Sequence, residues 1–127
     1  ADSEWLYVVP WGFGKLLTYI DQRYHSPGII VTENGCDVPN ESRIPLPQVL
    51  QDDFRVNYYA SYLKSMTDAM EQNKVNVLGY FAWSLMDNFE WADGYTKRFG
   101  IHYVDYANNL MRYPKKSADW LADYFAQ

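Results

Sequence analysis

At 127 residues and 48% hydrophobic content, the chain can bury a core of its own and does not read as a disordered polypeptide. A formal net charge of −5, with the basic residues scattered, excludes nucleic acid as a partner, because phosphate binding needs a basic patch. Five Trp, twelve Tyr and six Phe make 18% of the chain aromatic, more than such a core needs, so some rings are expected to line a cleft suited to flat ligands such as sugars.

The segment from Trp5 to Trp11 is apolar and ends in Pro10-Trp11-Gly12, which reads as a turn feeding a helix from Phe13 to Tyr24. Leu16, Leu17, Tyr19, Ile20 and Tyr24 give that helix an apolar stripe. Ser26-Pro27-Gly28 stops it, and a strand follows at once: Ile29-Ile30-Val31-Thr32, then Glu33, then Asn34-Gly35. A β-branched run without polar alternation suits a parallel strand covered on both faces. Asn34 and Gly35 end it because both tolerate left-handed backbone geometry. The acid at its end is thereby delivered to the rim where α/β proteins keep their sites.

Residues 35 to 50, with Pro39, Pro45 and Pro47, read as a long, irregular loop. Cys36, the single cysteine, forms no internal disulfide, rules out a multi-thiolate zinc site and reads as a bystander. One cysteine leans towards a cytoplasmic setting, while the Asn40-Glu41-Ser42 triplet leaves a secretory route open. Asp52 or Asp53 can cap a helix from Phe54 to Asn73, where Phe54, Tyr58, Tyr62, Met66 and Met70 recur every four residues as ordinary core. Val75 to Trp83 forms a second buried strand, with Gly79 where something packs closely. A strand, a helix and a second strand make a right-handed β-α-β unit.

Ser84 to Tyr95 is a second loop, dense in rings and acids. Beyond it, Phe99 to Tyr106 and Leu110 to Tyr113 flank Ala107-Asn108-Asn109 as a small hairpin that Pro114 interrupts. Ser117 can cap a closing helix with Trp120, Leu121, Tyr124 and Phe125 on its apolar face. No apolar run has the length of a membrane span, and no linker or repeat divides the chain, so residues 1–127 read as one partial domain. Two strands cannot cover their own edges, so the chain is expected to be a slice of a larger α/β fold, cut at Ala1.

Each strand is followed by carboxylates: Glu33 after the first, and Asp87, Glu90 and Asp93 after the second. On neighbouring parallel strands these acids share one rim, and paired carboxylates are the minimal kit for cleaving a glycosidic bond, roughly 5 Å apart in a retaining mechanism. Glu33 from position alone can cap, bind or catalyse. Glu90 stands between Phe89 and Trp91, the makeup of a sugar subsite. A structural role is favoured for Asp87, and surface or edge positions for His25 and His102. No Gly-rich phosphate loop supports a nucleotide, and Ser84 lacks the glycine-flanked elbow of a serine hydrolase.

Three ordered blocks carry a resemblance: Ile30-Val31-Thr32-Glu33-Asn34-Gly35, then the run from Gly79 through Asp87-Asn88-Phe89-Glu90-Trp91, then Arg98-Phe99-Gly100-Ile101-His102-Tyr103-Val104-Asp105-Tyr106. With Arg112-Tyr113-Pro114-Lys115-Lys116-Ser117-Ala118 they span nearly the whole chain, which resembles the carboxy-terminal part of a glycoside hydrolase family 1 β-glucosidase. The resemblance implies part of a TIM (β/α)8 barrel, strands seven and eight with their helices, working without a cofactor or metal. It implies Glu33 as catalytic nucleophile, Glu90 and Trp91 as binders of glycone hydroxyls, Trp83 as the aglycone-side platform and Phe99 as a wall of the glycone pocket. The family's phospho-glycosidase branch usually has serine where Glu90 stands, so an unphosphorylated β-glucoside is the expected substrate.

The family's general acid/base lies in an Asn-Glu-Pro block, which this sequence lacks. The isolated chain is therefore expected to be inactive, and to bind the missing amino-terminal part of the barrel or to self-associate through its open edges. The alternative is a non-catalytic sugar-binding or receptor-type relative on the same barrel.

Overall fold

The computed structural model describes residues 1–25 and 28–126, so the expected helix stop at Ser26-Pro27 lies outside the described residues. In chain order the elements are α1 (Pro10–Tyr24), β1 (Ile29–Asn34), α2 (Asp53–Asn73), β2 (Val77–Ala82), β3 (His102–Asp105), β4 (Met111–Pro114) and α3 (Lys116–Phe125). Strands β1 and β2 pair in parallel with α2 returning between them, and β3 pairs antiparallel with β4. Among the described residues each sheet has two strands, and no helix is long and apolar enough to cross a membrane.

Helix α1 starts earlier than the sequence pattern suggests, because Pro10 opens the helix instead of turning into it. A proline's fixed φ and missing N–H suit the first helical turn. Its stripe is narrower than expected: Leu17 is buried, while Leu16, Tyr19 and Tyr24 are exposed. The contact with α2 is made instead through Gly14, where a Cβ would come within 2.6 Å of Ser65 Oγ. In α2, Tyr58, Tyr62 and Met66 are buried as expected, joined by Tyr59, Leu63 and Ala69, whereas Phe54 is exposed. The Tyr58 and Tyr62 rings stack at 4.1 Å, and with Leu17, Val31, Cys36, Val75 and Leu121 they form the core.

The two parallel strands are not covered on both faces within this chain. Val31 is buried, but Ile30, Leu78 and Phe81 are exposed at 54%, 65% and 62%. The helices supply a cover for one side of the pair only.

Both expected caps are corrected. Asp52 occupies the N-cap position of α2 but makes no side-chain capping bond there. Its carboxylate instead accepts the Ser117 N–H at 2.8 Å and the Ser117 hydroxyl at 2.6 Å. Ser117 thus sits inside α3 as a donor, and a residue from another helix satisfies the open N–H of its first turn. The hairpin turn runs through residues 106–110, with Asn109 and Leu110 at positive φ, and Pro114 closes β4 opposite His102.

Candidate active site

Glu33 is the penultimate residue of β1 and its side chain is exposed at the rim. The next residue fixes the strand end: the Asn34 amide donates to the Tyr58 hydroxyl at 3.0 Å, and its carbonyl oxygen accepts from the Tyr80 hydroxyl at 2.7 Å. Tyr58 and Tyr80 come from α2 and β2, so the helix and the neighbouring strand clamp the residue beside the acid. Burial pushes both phenols above their ordinary range, so they stay neutral donors and acceptors. Gly35 is required by contact, since a Cβ there would overlap the Trp83 carbonyl oxygen. That same oxygen accepts from the Tyr59 hydroxyl at 3.0 Å.

The strand pairing continues past β1 and β2, as Trp83 N–H donates to the Asn34 carbonyl at 2.8 Å. The Trp83–Ser84 peptide is cis. Ser84 then bonds in both directions to the segment before β3, donating its N–H to Phe99 O at 3.1 Å and accepting from Ile101 N–H at 2.8 Å. The loop that follows folds on itself, with Glu90 N–H donating to Gly94 O at 2.6 Å and a short helical turn at Trp91–Asp93.

A cleft of about 390 Å³ opens at this rim, and Glu33, Trp83, Glu90, Trp91 and Phe99 all line it. The five residues to which the resemblance assigns site roles thus share one cavity, whereas the carboxylates Asp87 and Asp93 do not line it. Phe99 is buried at 3% exposure, whereas Trp91 stands 82% exposed. Three further wall residues escaped the sequence reading: Tyr58, whose spacing suits ordinary core, and Trp5 and Leu6. Trp5 and Leu6 come from the segment ahead of α1 and reach the same cleft, with Trp5 stacked on Phe99 at 6.4 Å and 16°. That segment is held there by Asp37, a buried carboxylate that accepts from Ser3 Oγ at 2.7 Å and from Asp2 N–H at 3.2 Å. The aromatic excess was the only sequence signal for Trp5.

Glu90 is half-buried, and its carboxyl lies above the usual carboxylate range. Burial is the largest cause, and the negative charges of Asp37, Asp93 and Glu33 add to it, while a hydrogen bond from the Trp83 side chain pulls the other way. The Glu33 charge thus reaches Glu90 across one cavity walled by rings.

Asp87 takes the structural role. It is buried, pairs with Arg98, and accepts from Lys115 Nζ at 3.1 Å, Gly100 N–H at 3.1 Å and Val104 N–H at 3.2 Å. His25 ends α1 in a left-handed conformation, and His102 bonds Leu85 O through Nδ1 at 2.9 Å, both outside the cleft.

The same chain aligns with known proteins over its full extent. It matches the model of glycosyl hydrolase family 1 over residues 1–127. Beta-glucosidase 4 of Oryza sativa subsp. japonica is 55% identical over 98% of this chain. The crystal structure of a β-glucosidase from the fungus Humicola insolens in complex with glucose superposes with a TM-score of 0.96 at 52% identity, covering 99% of this chain and 26% of that one. A rice β-glucosidase mutant in a covalent complex with Glc superposes with a TM-score of 0.90 at 47% identity, covering 94% of this chain and 25% of that one. The chain spans about a quarter of the length of these relatives, 26% in the case of Beta-glucosidase 4. It is part of a TIM-barrel fold, and it belongs to glycosyl hydrolase family 1.

Proposed function

We propose that the chain is the carboxy-terminal part of a retaining β-glucosidase, a single partial domain carrying barrel strands seven and eight as β1 and β2. The observation that carries this reading is one cleft lined by two carboxylates, Glu33 and Glu90, and by the rings of Trp83, Trp91 and Phe99. The receptor-type alternative finds no support in the relatives, which are named as β-glucosidases.

In the complete enzyme, Glu33 attacks the anomeric carbon of a β-glucoside as the bond to the aglycone oxygen breaks. That oxygen leaves with a proton from an acid/base residue outside this chain. The same residue then takes a proton from water, which attacks the anomeric carbon, releases glucose and frees the Glu33 carboxylate. The covalent Glc complex of the rice relative supports a covalent intermediate here. Glu90 accepts hydrogen bonds from glycone hydroxyls, Trp91 binds beside it, Phe99 forms the wall, and Trp83 lies under the aglycone side. A negative Glu90 disfavours a phosphorylated sugar.

Replacing the nucleophile tests this reading. In the complete enzyme, Glu33→Ala should lose at least about 10³-fold in aryl glucoside hydrolysis, and added azide should restore turnover by attacking the vacated face, giving the α-glucosyl azide. Retained activity, or a β-configured azide product, would overturn the assignment. The isolated chain, without an acid/base, should show no turnover above background.

A further inference from the structure

Arg55, near the start of α2, lies outside the cleft and is fully buried, yet every N–H of its guanidinium has an acceptor. Nε donates to the Cys36 carbonyl at 3.1 Å. One η nitrogen donates to Asp52 Oδ2 at 2.6 Å and to Glu41 Oε1 at 3.3 Å. The other donates to Glu41 Oε2 at 2.6 Å and to the Arg98 carbonyl at 2.9 Å. Two of these acceptors are backbone carbonyls in informative places. Cys36 directly follows the Glu33-Asn34-Gly35 strand end, and Arg98 directly precedes Phe99.

A guanidinium is a rigid planar fork, so one side chain holds both backbone segments at a set separation. The fork is itself immobilised. Glu41 also accepts from Lys115 Nζ at 2.6 Å, and Lys115 Nζ reaches Asp87 at 3.1 Å. Asp87 belongs to the loop that leads to Glu90 and binds the Gly100 N–H. Arg55, Lys115 and Arg98 thus face Glu41, Asp52 and Asp87, a cluster whose formal charges cancel.

We propose that Arg55 is a positioning residue, setting the strand end that presents Glu33 against the segment that presents Phe99 and the loop that presents Glu90. This rests on the reading of Glu33 as nucleophile. Attack at the anomeric carbon requires the glycone to be gripped while Glu33 stands in line, and a misplacement of about 1 Å can cost about 100-fold in rate. A residue that only stabilised the fold would lower the number of folded sites and leave each of them normal.

The test uses the complete enzyme and its Arg55→Lys variant, which keeps the charge and loses the fork. Glu41→Gln is the second variant, removing one anchor of the fork while keeping its shape. The readouts are the rate of inactivation by a 2-deoxy-2-fluoro-β-glucoside, normalised to the sites finally trapped, and hydrogen exchange at residues 34–37 and 98–100. Arg55→Lys should react about 10- to 100-fold more slowly per site, Glu41→Gln should shift in the same direction by less, and exchange should accelerate in both segments together. A wild-type rate per site in the folded variants, or exchange that loosens in neither segment, overturns the proposal. If wild-type enzyme is trapped elsewhere than Glu33, the nucleophile reading fails, and the exchange measurement still decides whether Arg55 couples the two segments. Should Arg55→Lys fail to fold, Glu41→Gln decides both readouts.

Discussion

At Glu90, burial and three neighbouring carboxylates act in one direction, holding the carboxyl above its ordinary range. The raised value has opposite consequences for stability and for binding. The folded state holds the Glu90 proton more tightly than the unfolded one, so Glu90 favours folding as pH falls through its raised pKa, and that contribution is lost as pH rises through it. In its proposed role as a glycone hydrogen-bond acceptor Glu90 acts in the ionised form, so affinity should weaken over the same acidic window. Calorimetric titration of the complete enzyme with glucose should show this loss in wild type and a flatter profile in Glu90→Gln. An equally steep acidic loss in the variant would assign it to another group.

Cys36 illustrates how sequence position and chemistry part company. It lies three residues after Glu33, but it is fully buried and its thiol is pushed up to about 12 by burial. A protonated, enclosed thiol is a poor nucleophile. Alkylation with iodoacetamide at neutral pH should leave Cys36 unmodified in the folded protein and label it after unfolding in denaturant. Prompt labelling of the native protein would contradict its placement.

At the scale of elements, the strand that delivers Glu33 was legible because local chemistry decides it. A β-branched run fits a strand, but the reason for its end was not legible: neither Asn34 nor Gly35 takes a positive φ, and Gly35 is required because a Cβ there would overlap the Trp83 carbonyl oxygen. The caps were not legible in the same way. Asp52 stands where a cap belongs, yet its carboxylate crosses to Ser117 and to Arg55, because a buried guanidinium competes for it more strongly than the first N–H groups of its own helix. Asp52→Ala should therefore cost about 3–5 kcal/mol, the penalty for leaving the buried cluster with one uncompensated positive charge, and not the roughly 1 kcal/mol of a lost surface cap. Denaturant unfolding of the complete enzyme distinguishes the two values.

The charge cluster around Arg55 and the contribution of Trp5 were invisible for a shared reason. Partners far apart in the chain leave no periodic trace, and a lone Arg or Lys in a sequence says nothing about which carboxylate it will meet. The rim residues Glu33, Trp83, Glu90, Trp91 and Phe99 were readable because each lies at or just beyond the end of a strand pattern, or in a block that resembles a known family.

On the scale of the whole molecule, the chain has a helix-covered side and a bare one. Ile30, Leu78 and Phe81 are exposed on the strands, and the two-stranded sheet has unpaired edges among the described residues. Such surface drives association. The isolated chain should form dimers or larger species in light scattering, and addition of the rest of the barrel should reverse this. A monodisperse monomer at high concentration would contradict the expectation.

We propose Glu33 as the nucleophile of a β-glucosidase whose carboxy-terminal part is this chain. The most direct measurement is peptide mass spectrometry of the complete enzyme after trapping with a 2-deoxy-2-fluoro-β-glucoside. One 2-fluoroglucosyl label is expected, on Glu33, in the peptide that contains Ile29-Ile30-Val31-Thr32-Glu33-Asn34. A label on Glu90, on Asp87 or on a residue outside this chain would contradict it.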